Sequence, residues 1–129
     1  MNPPRPERAA QAVHLVDSSL YIHRAWHGTP IEASDDQGWP LNAVHGFARF
    51  LCELLERTRT GHLALAFDAA LPSCFRNAIY PAYKAHREPA PEELTRQFVH
   101  CRTLGAAMGL PVLTHDEYEA DDLIGTAAA

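Results

Sequence analysis

Asp17, Asp68 and the run Glu119, Ala120, Asp121, Asp122 hold the side chains of this 129-residue chain whose type and placement could do chemistry. Asp17 and Asp68 each close a short apolar run, VHLVD and HLALAFD, and EADD opens a helix-like stretch near the end of the sequence. Carboxylates gathered at one place repel one another unless a cation stands between them, and hard divalent ions such as Mg2+ and Mn2+ prefer oxygen donors. Acids delivered together therefore point to one or two metal ions, ~4 Å apart in the arrangement used for phosphoryl transfer. Taken singly, each acid has an ordinary reading. Aspartates are common turn residues at strand ends, and acids suit the positive end of a helix. The inference rests on convergence of acids from separate elements.

Those elements are legible as alternating periods. Val13 to Asp17 reads as a buried strand, with Ser18 behind it as a helix N-cap. Ser19 to His27 then places Leu20, Ile22, Ala25 and Trp26 on an apolar helical surface that Gly28 and Pro30 end. A polar loop with Gly38 and Pro40 as turn residues leads to Asn42, a second candidate cap. From there Val44, Phe47, Phe50, Leu51, Leu54 and Leu55 recur at helical spacing to about Arg57. After Gly61, His62 to Asp68 repeats the strand-then-acid pattern. Strand, helix, strand implies a right-handed crossover and a parallel sheet, with Asp17 and Asp68 side by side at the carboxyl ends where such sheets bind ligands.

Residues 69–91 hold four prolines and two tyrosines and are too long for a tight connection, so they read as a functional loop or arch. Pro91, Glu92 and Glu93 open a helix through Met108, and Gly109 ends it before a short strand, Leu110 to Thr114. The last helix is expected to start near Glu117, with Ala120, Leu123, Ile124 and Ala127 as its apolar stripe and Glu119 and Asp122 on the other face. It reaches Ala129 without a capping glycine and reads as cut. Residues 1–12, rich in proline at their start, read as a flexible arm.

Composition narrows the classes. A net charge of −5 argues against a general nucleic-acid binder held by overall charge, yet Arg76, Lys84 and Arg87 face only Glu88 between Leu71 and Ala90. Lys84 is the only lysine in the chain. No stretch is long enough to span a membrane, and Cys52, Cys74 and Cys101 form no CxxC pair, as expected of reduced thiols in a cytoplasmic protein. His23 and His27 are four apart on a helix, but nothing is placed to complete a tetrahedral zinc site. Nucleotide-binding and serine-hydrolase motifs are absent from the sequence.

VDSSLYIHRAWH, LALAFDA, CFRNAIYPAYKAHR, PEEL and LPVLTHDEYEADDLIGT, in that order and spacing, resemble the N-terminal region of the 5′-nuclease (flap endonuclease) family, over nearly everything after Ala12. That family includes the 5′-3′ exonuclease domain of bacterial DNA polymerase I and stand-alone bacterial relatives. The resemblance implies an α/β fold, a three-layer PIN-like parallel sheet with helices on both faces, here truncated after the EADD helix. Residues 13–129 would form the resolvase-like part of the domain, with 69–91 as its arch.

By the same resemblance, Asp17, Asp68, Glu119 and Asp121 match ligands of a metal cluster for two Mg2+ or Mn2+ ions, and Asp122 a ligand nearer the second. Lys84 matches a lysine near the scissile phosphate, while Arg76 and Arg87 match basic positions of the arch. Tyr80 and Tyr83 could stack on unpaired bases or pack the base of the arch. The implied activity is metal-dependent hydrolysis of DNA at single-stranded 5′ ends or flaps in replication and repair, with a fused or separate DNA polymerase as partner. A truncated, non-catalytic DNA-binding fragment and a PIN-type ribonuclease are the alternatives. Two departures stand out: Ser18 replaces the glycine usual after the first aspartate, and the family's later strand with further aspartates lies beyond this sequence.

Overall fold

A computed structural model describes residues 13–68, 79, 90–115 and 117–128. The fold is α/β, as the sequence implies. Strand β1 (Val13–Asp17) leads into helix α1 (Ser18–Gly28), followed by α2 (Asn42–Thr58), β2 (His62–Ala66), α3 (Glu92–Ala107), β3 (Val112–Leu113) and α4 (Ala120–Ala128). The described strands form one parallel sheet in the order β1-β2-β3. Stepping twice in the same direction through right-handed crossovers puts α1, α2 and α3 on one face.

Side-chain parity agrees. Val16 is in register with Leu65, so both point to one side of the pleat. They share a core with Leu63, Phe67, Ile22, Phe47, Leu51, Leu94 and Cys101. Gly105 lets α3 press onto this face, since a Cβ there would come within 2.6 Å of Leu65 Cδ1. Ala66, of opposite parity, is buried outside that cluster, as is Ala120 of α4, and α4 contacts β1 and β2. The EADD helix thus meets the strand that ends on Asp17 and the strand that leads to Asp68.

A saturated polar cluster locks the helices together. Gln97, fully buried on α3, accepts the Ala43 and Val44 amides at 2.6 and 3.0 Å and donates to Asn42 Oδ1 at 3.0 Å. Asn42 in turn donates to the carbonyls of Trp26 and Thr29. Asn42 is therefore the first residue of α2 instead of its cap. The cap position is Leu41, which offers no side-chain oxygen, so Gln97 satisfies the orphan amides from another helix. Arg96, beside Gln97, lies 3.8 Å over the Trp39 ring and fastens the 29–41 loop to α3.

Two further boundaries and one burial differ from expectation. Asp17, not Ser18, caps α1, accepting the Leu20 amide, because its carboxyl already stands at the strand's end. Leu20 is 47 % exposed, since the inward face of α1 is Ser18, Ile22 and Ala25 at helical spacing. Helix α4 starts at Ala120 and not near Glu117, because its first amides are claimed by side chains described next. No helix among the described residues is long and apolar enough to cross a membrane.

Candidate functional site

Asp17 is the last residue of β1 and pairs in register with Ala66. Asp68 lies two residues beyond that pairing, so the two aspartates are not ladder neighbours as the sequence pattern suggests. The chain after β2 continues alongside β3 only to Phe67, whose amide donates to Leu113 O at 3.0 Å. The next amide, that of Asp68, donates instead to Ser19 Oγ on the first turn of α1, also at 3.0 Å. This draws Asp68 back toward Asp17.

The Asp68 side chain then reaches a third element. Its Oδ1 accepts the Ala120 amide at 2.8 Å, satisfying an orphan donor at the start of α4. One residue earlier, the Glu119 amide donates to Asp122 Oδ2 at 3.0 Å, and the Asp122 amide donates to Glu119 O at 3.1 Å. Upstream, His115 Nδ1 accepts the Glu117 amide. With its amides tied this way, α4 can begin only at Ala120.

Electrostatics shows which acids the fold brings together. The Asp17 carboxyl is held above its ordinary value of 3.8, first by burial and then by the negative charges of Asp68, Asp121 and Glu119, against a lowering by the Leu20 amide. Four carboxylates from three elements thus share one field. The Asp122 carboxylate is engaged in capping, through the Glu119 amide. Glu119 is buried, whereas Asp68 and Asp121 are exposed and open to a ligand.

The donor set is all oxygen, which suits a hard divalent cation and not a thiolate- or imidazole-seeking one. Among the described residues, no three acidic, histidine or cysteine side chains close on a common point to form a ready metal cage. The carboxylates share a field without yet sharing a center. Arg76, Tyr80, Tyr83, Lys84 and Arg87 lie outside the described residues. Ser19, which joins Asp68 to α1, was not singled out by sequence reasoning. A signal existed: Ser18, Ile22 and Ala25 share the inward helical face, which leaves the adjacent Ser19 near the strand ends.

Similarity to known proteins extends over nearly the whole chain. The family described as 5′-3′ exonuclease, N-terminal resolvase-like domain, matches residues 12–129. The DNA polymerase I of Rhizobium leguminosarum is 40% identical over 121 residues, covering 88% of this chain and 12% of that protein. That of Geobacillus stearothermophilus is 38% identical over 115 residues, covering 89% and 13%. For Mycobacterium tuberculosis H37Rv the identity is 36% over 126 residues, covering 97% and 14%. The chain therefore spans about an eighth of the length of these relatives.

Proposed function

Because the chain belongs to the 5′-3′ exonuclease N-terminal, resolvase-like domain family, we propose that it carries the acidic site of a metal-dependent nuclease. Its substrate is DNA with single-stranded 5′ ends or flaps. The observation that supports this most strongly is the field around Asp17, where Asp68, Asp121 and Glu119 arrive from separate elements. Like charges held together at a cost are what an enzyme keeps for a cation. The polymerase I relatives support a DNA polymerase, fused or separate, as partner.

Asp17, Asp68, Glu119 and Asp121 would hold one Mg2+ or Mn2+ ion and Asp122 would stand nearer a second. Bound there, the metal supplies activation of water and neutralisation of charge on the leaving oxygen. Lys84 offsets charge on the scissile phosphate as it builds. Arg76 and Arg87 grip flanking phosphates, which makes binding salt-dependent, and Tyr80 and Tyr83 stack on unpaired bases. Asp68 has a double duty, since the carboxylate that faces the cation also orients α4.

The test is cleavage of a 5′-flap DNA and a matched RNA flap by the purified chain with Mg2+, and again after Asp68→Ala. The expected result is cutting of DNA alone, lost with chelator and reduced at least ~100-fold in the variant. Undiminished cleavage by the variant overturns the assignment. Preferential RNA cleavage replaces it with the PIN-type ribonuclease reading. Flap-DNA binding without metal-dependent cleavage replaces it with the non-catalytic fragment.

A further inference from the structure

Two serines follow Asp17, both buried at the start of α1 and 0 and 3 % exposed, yet they differ in what they touch. Ser18 Oγ has no hydrogen-bond partner among the described residues. Ser19 Oγ accepts the Asp68 amide across 49 positions of sequence. We infer that Ser19 is a positioning residue for the acidic site: its hydroxyl registers Asp68 against Asp17 and, through Asp68, sets the start of the EADD helix.

The argument is an accounting of backbone donors. Every buried or partly buried amide needs an acceptor, and the ladder to β3 supplies the last one at Phe67. Asp68 is the first residue past that support. Without the Ser19 hydroxyl its amide has no described acceptor, and its backbone is free to swing away from the sheet. With it, Asp68 is pinned to the same helical turn that Asp17 caps through the Leu20 amide. Both aspartates are thus referred to one rigid turn of α1.

The consequence travels one step further. Asp68 Oδ1 accepts the Ala120 amide at 2.8 Å, so whatever fixes Asp68 also fixes the first residue of α4. Glu119 and Asp121 flank that residue. The relay runs from Ser19 Oγ to the Asp68 backbone, through the Asp68 carboxylate, to the α4 amide. One neutral hydroxyl therefore coordinates three charged segments without adding charge to the site. For the metal this rests on the proposed function, but the relay itself does not.

The experiment compares Ser19→Ala with Ser19→Thr, which restores the hydroxyl, and with Ser18→Ala, which removes the neighboring one. Amide hydrogen exchange is measured residue by residue in chelator, and Mn2+ affinity is then measured by titration. In Ser19→Ala, exchange at Asp68 and Ala120 should quicken ~10-fold while Phe47 and Leu51 stay protected, and Mn2+ affinity should fall ~10-fold. Ser19→Thr should return both toward the parent, and Ser18→Ala should change neither. Unchanged exchange at Ala120, equal effects of the two alanine variants, or uniform quickening that includes Leu51 would each overturn the relay. If the parent chain binds no Mn2+, the proposed function fails while the exchange comparison still decides the relay.

Discussion

Two helix N-termini in this molecule are capped by side chains more than fifty positions away, and they leave their surroundings in opposite electrostatic states. At α2 the cap is Gln97, neutral, fully buried and joined to Asn42 in a cluster whose donors and acceptors are matched. At α4 the cap is Asp68, an exposed acid set beside Asp17, Glu119 and Asp121, whose like charges act on Asp17. The first cluster is what stability alone produces, because neutral buried groups that are fully paired cost little and fix geometry. The second sets like charges side by side at a cost to stability, which supports the proposal that it serves a cation.

The sharpest way to break this contrast is to open the neutral cluster. Gln97→Ala strands the Ala43 and Val44 amides and Asn42 Oδ1 in a buried setting, and should destabilise the chain by about 2–4 kcal/mol in urea unfolding. A change under ~0.5 kcal/mol would show that the cluster is not what holds the helices. Next in size is Gly46→Ala, one turn along α2, where a Cβ would meet Thr29 Oγ1 and come within 2.7 Å of Ala25 Cβ. The Thr29 hydroxyl can turn aside, but Ala25 Cβ cannot yield without moving the α1 backbone, so a loss of about 1–3 kcal/mol is expected in the same assay.

The acidic cluster should respond in the opposite sense. Asp17 binds its proton more tightly in the folded chain than in the unfolded one, whose value is 3.8. As pH rises from there through the raised folded value, the unfolded chain releases the proton first, and folding loses stability. In chelator, Asp17→Asn should therefore be the more stable protein at neutral pH, with an advantage that shrinks as the pH falls toward 3.8. Urea unfolding across that range checks it, and an advantage independent of pH would mean that the like charges around Asp17 are not felt.

The sequence made the sheet and its acids visible because strand-forming runs such as VHLVD and HLALAFD end on aspartates, a local pattern that tertiary contacts did not override. The parallel pairing of β1 with β2 follows from that pattern and from crossover handedness, whereas the pairing of β3 beside β2 was not implied by it. What escaped was decided by distant partners. The starts of α2 and α4 were misjudged because their caps, Gln97 and Asp68, come from other elements. Gln97 was detectable in principle, since Leu94, Gln97, Cys101 and Gly105 share one inward face of α3 and a polar residue there must find a partner. Ser19 was harder, because the amide it accepts lies 49 positions away.

The measurement that tests the central claim most directly is the melting temperature of the chain with millimolar Mn2+ against a potassium salt of matched ionic strength. If the carboxylates around Asp17 form a cation site, metal at ten times its dissociation constant adds about 1.4 kcal/mol, which raises the melting temperature by ~3–8 °C over the potassium control. Asp68→Asn should lose most of that rise. Identical melting temperatures in Mn2+ and in the matched potassium salt would contradict the account.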